Sequence, residues 1–564
     1  MIKMGRGNLN AKVWVVGPHV LKQDVGQIFT HQSGMLLYNT LLTLGVTERE
    51  IRSEVLVYDI PRGSKFTYFE EHKMSAIVEG VQKLEMAIKA HKPNLVVALG
   101  SSVIKYLIGQ TNIMNWRGHI VWSDRLQCKI LPMITPSSAM RQKHVHKSKK
   151  PGQYLALFIN DVHKIKKEMQ FAGMKQDDPT VITAPPFSEA KAILEQMYED
   201  GSLLSYDIEC PQPYKAHLVD CIGLATEKDW GVSIPFWTVV GAKGHQTLSK
   251  YYGAHELPII MGLVKKLLAS PMPKVAQNSK FDSAILEAWY GMPVNNLAWD
   301  TMVMAHNLYC DLPKDLGTLI SLYTNLPYHK YLNAMGGLEN RWKYNAMDAI
   351  ANIHIMLGEI EEMKSLNILD HYRYCTHPTI GTTVEMHLLG VPVDIPFRDL
   401  ALTKEGAIME NIIQAFNKVL PFSLDTTSNS RKFNPNSPTQ KKQMFLELLG
   451  VKPTYNRGTI TMNKATMAYI AKTTSDTIVK AFAEACLRYK ASSTMAGKLK
   501  TPLHEGNIHT QYDTAGTDTG RLNSKASETF SGGTNLQNLS PGLQRKMIIP
   551  PKDNIWAQVS VTPK

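Results

Sequence analysis

Leu203-Leu204-Ser205-Tyr206-Asp207-Ile208-Glu209 is the stretch on which the reading of this chain turns. It reads as a strand, and in a strand residues two apart leave the same face, so Asp207 and Glu209 project side by side. Carboxylates that close repel each other, and burying them unpaired is costly. A purely structural role therefore needs a cationic partner, and a divalent metal is one such partner. About seventy residues on, Asn278-Ser279-Lys280-Phe281-Asp282 opens a helical stretch. Later, Tyr344-Asn345-Ala346-Met347-Asp348 places Tyr344 and Asp348 on one helix face. Each fragment alone is weak, since an Asp-x-Glu on a strand is more often a surface pair. The ordered set is a strong signal.

Working outward, residues 12 to about 165 alternate short apolar strands with helical patterns. Val13-Trp14-Val15-Val16-Gly17 and Leu95-Val96-Val97-Ala98-Leu99-Gly100 both end in glycine, as in an α/β unit with a parallel sheet. A basic run from Arg141 to Lys150 follows; a solvated loop is the expectation there, ahead of a phosphate-contacting patch. Lys175-Gln176-Asp177-Asp178-Pro179 and Ala184-Pro185-Pro186 read as a connection. Residues 181 to about 360 form a second α/β unit. From about 361 the pattern turns mostly helical, in Ala407–Val419, Gln440–Leu449 and Asp476–Tyr489.

The 564 residues are too many for a single core. An apolar content of 44% and a charged content of 20% describe a globular chain. The formal charge of +13 favours polyanionic partners, nucleic acid being the commonest. Six scattered cysteines without a Cys-x-x-Cys pair argue against a disulfide scaffold or a zinc site and fit a reduced interior. No signal peptide and no membrane span of roughly 18 to 20 apolar residues is read. The expected setting is cytoplasmic, in a bacterial host cell.

In order, the three acidic motifs resemble those of DEDD-type 3′–5′ exonucleases, the group that includes the proofreading domain of family A (polymerase I-like) DNA polymerases. The resemblance implies an RNase H-like domain in which Asp207, Glu209, Asp282 and Asp348 hold two Mg²⁺ ions, with Mn²⁺ as a substitute. Tyr344 would orient the attacking water, and Asn278 would contact DNA. For Asp300 a helix cap is expected ahead of a supporting role at the site. Mg²⁺ prefers oxygen ligands, which suits the set.

The C-terminal part carries His509-Thr510, then Thr517-Asp518-Thr519-Gly520-Arg521-Leu522-Asn523-Ser524, then Asn535-Leu536-Gln537-Asn538-Leu539. These resemble the primer-template grip of family A polymerases. Thumb-proximal landmarks stand at Glu385–Asp394 and Asn434–Gln440. The resemblance implies minor-groove contacts from Arg521, Asn535, Gln537 and Asn538, which sense pairing geometry without reading sequence. The stretch Lys525–Thr534 is longer than the family pattern. The strand Ile555–Val559 is followed by Ser560-Val561-Thr562-Pro563-Lys564, where the family places its first palm aspartate. We therefore expect the nucleotidyl-transfer centre to be incomplete here and its remainder to be encoded separately, with disorder after about Pro551 or a complementing chain.

The front unit resembles the uracil-DNA glycosylase superfamily through Asp24–Leu37, Leu99-Gly100, Trp116-Arg117-Gly118 and Leu131–Ser138. The water-activating acid or amide expected near Gly17-Pro18 is missing, and Thr135 stands at the family's histidine position. Cys128 alone cannot hold the iron–sulfur cluster of some relatives. Base excision is not expected; a DNA-binding or docking role is.

The expected architecture is thus a multidomain α/β plus mostly α protein. It comprises a glycosylase-like domain (1–165), a linker (166–180), an exonuclease domain (181–360), and a thumb with the first part of a palm (361–564). Bacteriophage family A polymerases with such a front domain are the overall resemblance. DNA, as primer-template or as a single-stranded 3′ end, is the expected partner, with replication as the process. Two alternatives are a non-catalytic DNA-binding subunit of a split polymerase and a standalone 3′–5′ repair nuclease.

Overall fold

The computed structural model describes residues 5–24, 26–140, 152–211, 218–240, 247–420, 433–456, 458–539 and 542–551. The basic run Arg141–Lys150 and the stretch Ile555–Lys564, with the expectations attached to them, lie outside these residues. The chain divides into two compact bodies. One is Met1–Thr382 with Thr514–Leu522; the other is Thr383–Asp513 with Asn523 onward.

In the first body Arg6–Gly7 (β1), Val13–His19 (β2), Ile51–Val57 (β3), Leu95–Leu99 (β4), Val121–Ser123 (β5) and Cys128–Met133 (β6) form one sheet, ordered β1-β3-β2-β4-β6-β5. The four inner strands are parallel, and β1 and β5 are antiparallel edges. Val13–Val16 of β2 and all of β4 are apolar because both faces are covered. Val13 and Val15 pack against Leu37, Leu41 and Phe158 on one side. Trp14 and Val16 pack against Ile77, Leu84 and Ile104 on the other. The parallel sheet expected from the two glycine-terminated strands is present.

A second sheet contains Thr180–Thr183 (β7), Leu204–Glu209 (β8), Cys221–Glu227 (β9) and Trp230–Pro235 (β10). A separate hairpin of Trp237–Val240 (β11) and Thr247–Lys250 (β12) precedes Lys274–Ala276 (β13) and Leu297–Asp300 (β14), which complete the sheet in the order β14-β13-β8-β9-β10-β7. Strand β8 runs parallel to β13 and antiparallel to β9, so the acidic strand is central. The 28-residue helix Leu338–Ser365 lies across β8, β9 and β10. Strand β7 stands at the start of the expected span 181–360, ahead of the strand read at Leu203, and pairs in parallel with β10. The Pro-rich connection after it is also tied down: Tyr251 donates to the Ala184 carbonyl at 2.7 Å and Tyr252 to that of Pro185 at 3.0 Å. Turn-forming composition marked a chain reversal here, and tertiary hydrogen bonds made it part of the domain.

The second body is mostly helical, as expected. Helices Ile395–Val419, Lys464–Thr473 and Thr477–Leu499 pack around Phe416, Phe445, Met467, Ile470 and Ala483. A short antiparallel pair joins Thr510–Asp513 to Asn523–Ala526. Among the described residues no helix is long and apolar enough to cross a membrane.

Candidate functional site

The register of β8 builds the site. Asp207 pairs across from Gly223 and Glu209 across from Cys221, which leaves both carboxylates on the face covered by the helix Leu338–Ser365. A β-carbon on Gly223 would stand 2.4 Å from the Asn345 carbonyl oxygen, so this glycine lets the helix approach the sheet. Close approach brings Asp348 to the pair. Asp207, Glu209 and Asp348 each offer a carboxylate oxygen within 4.8 Å of the others.

Asp282 is not in that trio. Its Oδ1 accepts the backbone N–H of Ile208 at 3.1 Å, at the residue between the two strand ligands. Helix Ser279–Tyr290, which carries it, starts at Asn278 in a left-handed conformation with φ 55°. Asp300 fixes that start by accepting from the N–H groups of Asn278 (3.2 Å) and Ser279 (2.8 Å) and from the Ser279 hydroxyl (2.7 Å). It also caps its own helix through Val303 N. The cap reading was right and incomplete, because the same carboxylate anchors the second acidic motif.

Burial is the main cause of the unusual protonation here. Asp207 is pushed well above the ordinary carboxylate range by desolvation, then by the charges of Asp348, Asp282 and Glu209. Glu209 is raised to about 7 by burial, partly offset by Arg341. Asp282 rises to about 8, again through burial first. Burial pushes Asp348 upward too, but Lys330 and His329 outweigh it and hold the group below its ordinary value. The Tyr344 phenol is raised by burial and the nearby carboxylates, so it acts as a hydroxyl and not as a phenolate.

Several residues at the site gave no distinct signal in the sequence. The Lys330 ammonium donates to both Asp348 oxygens at 2.8 and 2.7 Å and to the Tyr344 hydroxyl at 2.8 Å. His329 Nε2 lies 2.7 Å from Asp348 Oδ1. Both sit in a loop, where no periodicity exists to be read. Arg341 pairs with Asp220 at 2.5 Å and with Glu209 at 3.4 Å. Its helix spacing from Asn345 and Asp348 puts it on their face, which was a usable cue.

The grip residues fall in different places. Arg521 is exposed in the loop that clusters with the first body. In the second body Asn535 caps the short turn Leu536–Asn538 and accepts from the Ser524 hydroxyl at 2.6 Å, while Gln537 and Asn538 are exposed. The long Lys525–Thr534 stretch closes as a tight reversal in which Ser527 bridges Gly532.

In the front unit a cavity of about 330 Å³ opens beyond the end of β2, with His19, His31, Ser33 and Ser137 in its wall. Asp24 accepts N–H groups from Leu21, Thr30 and His31 and so serves the loop. Thr135 donates to Ser138 at 2.8 Å and accepts the Ser138 N–H, a local helix-start contact.

Residues 188–358 match the sequence profile of the family described as 3′–5′ exonuclease. The chain carries an exonuclease domain. Its boundaries enclose all four acidic ligands proposed from the sequence and Tyr344. Residues 4–162 match the uracil DNA glycosylase superfamily, so a glycosylase-like domain precedes the exonuclease domain. DNA polymerase I of Chloroflexus aurantiacus is 24% identical over 400 residues, covering 65% of this chain and 39% of that protein. The chain thus spans about two-fifths of the length of the curated relative it matches. Among solved structures, the POL domain of Pol1 from M. smegmatis in complex with DNA primer-template and dNTP aligns at a TM-score of 0.44 and 18% identity, over 65% of this chain and 58% of that one.

Proposed function

We propose that this chain is a family A polymerase-like DNA-processing enzyme whose exonuclease domain shortens DNA from its 3′ end by metal-assisted phosphodiester hydrolysis. The observation that carries the reading is the gathering of Asp207, Glu209 and Asp348, the first two half-buried and the third buried, with carboxylate oxygens within 4.8 Å of one another. Three clustered carboxylates, one buried and two half-buried, repel, and an all-oxygen donor set suits Mg²⁺ or Mn²⁺, so the residues fit a divalent cation. Asp282, anchored beside β8, would complete the set for a second ion. Bound there, the cations would supply a hydroxide at neutral pH and charge neutralisation at the leaving 3′ oxygen.

The chain's own groups have definable tasks. Tyr344, held as a phenol, donates a hydrogen bond that aims the attacking water. Lys330 sits between Tyr344 and Asp348, where its ammonium can stabilise negative charge that builds on the scissile phosphate. Arg341 keeps Glu209 facing the pocket. Asn278 contributes to strand contact, and Arg521, Asn535, Gln537 and Asn538 to minor-groove grip on a primer-template. The front domain, with Asp24 and Thr135 committed to local structure, serves binding and not base excision.

The test is a 5′-labelled single-stranded oligonucleotide incubated with Mg²⁺. A ladder shortening from the 3′ end is expected. Chelation should stop it, and Asp207→Ala should slow it on the order of 10³-fold. Undiminished degradation by Asp207→Ala would overturn the assignment.

A further inference from the structure

The front domain and the exonuclease domain share a cluster of aromatic rings beside the carboxylates. Trp116, on the short helix Ile113–Trp116 of the front domain, lies 4.5 Å from Tyr328 by ring centroids. Its plane is within 13° of that of Tyr331, at 6.3 Å. Tyr331 is 43% exposed. Between the two tyrosines stand His329 and Lys330, both bonded to Asp348. The two tyrosines therefore flank the loop residues that bind Asp348, and Tyr331 opens to solvent.

The shelf is firmly mounted. Next to Trp116, Arg117 is buried and pairs with Asp161 through two nitrogens while donating to the Ser321 hydroxyl at 3.0 Å. Lys164 donates to the carbonyls of Gly118 and Ser321, one from each domain. His119 packs 4.9 Å from Tyr328. A fixed aromatic surface loses little freedom when a flat ligand lands on it, and bases stack on such rings whatever their identity.

We propose that Trp116, Tyr328 and Tyr331 form a stacking surface for the bases of a single-stranded 3′ segment entering the acidic pocket. The front domain thereby supplies part of the exonuclease's strand-binding site. The ligand class is unpaired nucleic acid: an exposed ring beside a centre for phosphodiester cleavage, on a chain of formal charge +13, matches a polyanion with flat faces. The inference rests on the exonuclease reading for the ligand class and for the direction in which the strand enters.

The test measures binding of fluorescein-labelled (dT)2 and (dT)12 by anisotropy in EDTA, with the full chain and its Tyr331→Ala and Trp116→Leu variants. Wild type should gain affinity with length, and each variant should lose roughly tenfold of that gain. Trp116→Leu keeps apolar volume; should it fail to fold, the exposed Tyr331→Ala still decides. A gain with length that survives in the folded variants overturns the proposal. So does an equal loss for (dT)2 and (dT)12, which would mean that the rings merely hold the His329–Lys330 loop. No cleavage is involved, so failure of the nuclease assignment would show separately, as Mg²⁺-inert strands that still bind.

Discussion

The side-chain amide of Asn345 donates to both the backbone carbonyl and the Oδ2 of Asp207, each at 3.0 Å. One residue on the third acidic motif thus locks the backbone and carboxylate of the first. Its Oδ1 accepts from the Ser233 hydroxyl at 2.8 Å, which ties the same amide to β10. The strand pair and the helix are held at a fixed separation, and Gly223 beneath Asn345 sets it.

Gly223→Ala is expected to cost roughly 1–3 kcal/mol, because the new methyl meets backbone that cannot step aside. Since the helix must lift, Asp348 should move from Asp207 and Glu209. Titrating Mg²⁺ against exonuclease rate should show a higher midpoint for the variant. An unchanged midpoint would mean that the contact does not set the pocket.

Lys330 competes with any cation for Asp348. Removing its charge in Lys330→Met should leave Asp348 without its Lys330 ion pair, lowering the stability of the metal-free protein and enlarging the rise in Tm on adding Mg²⁺. Thermal unfolding with and without Mg²⁺ measures both. A smaller Mg²⁺ effect than in wild type would show that Lys330 supports cation binding and does not oppose it.

The buried ion pair between Arg117 and Asp161 joins the helix Gln153–Glu168 to the short loop after Trp116; the side chains are 2% and 0% exposed. Arg117→Ala leaves Asp161 buried and unpaired, for about 3–5 kcal/mol of lost stability. Replacing both partners by apolar residues of similar volume should recover most of it. Urea unfolding of the single and double variants decides between these outcomes.

His387 is 2% exposed, and its Nε2 lies 2.6 Å from the Ser527 hydroxyl. Burial, with smaller contributions from His509 and Lys525, lowers it to about 4. An unfolded histidine takes its proton near pH 6.5, and the folded one holds off until about 4. Between those values the unfolded chain binds more protons, so stability falls as the pH falls, by up to about 3 kcal/mol. His387→Gln should flatten the dependence of the urea midpoint over that window. An equal slope in the variant would assign the effect to other groups.

The site was legible where chemistry follows short spacing. Spacing put Asp207 and Glu209 on one strand face and Tyr344 and Asp348 on one helix face, and the resemblance of the ordered motifs to DEDD-type exonucleases made them candidates. Strands β2 and β4 were equally plain, since burial on both faces demands unbroken apolar runs. Edge strand β7 carries no such run, and none of its four residues is fully buried, so it was not read as a strand. Lys330 and His329 could not be read, because a loop places side chains through tertiary contacts that no periodicity records. Asp282 was found as a motif, but its hydrogen bond to Ile208 depends on the crossing of helix and strand.

The central claim is that these carboxylates hold divalent cations, and anomalous scattering from a Mn²⁺-soaked crystal tests it most directly. We expect a peak bounded by oxygens of Asp207, Glu209 and Asp348, with the Lys330 ammonium displaced from at least one Asp348 oxygen. A featureless pocket at saturating Mn²⁺, with Lys330 still on both oxygens, would contradict the account.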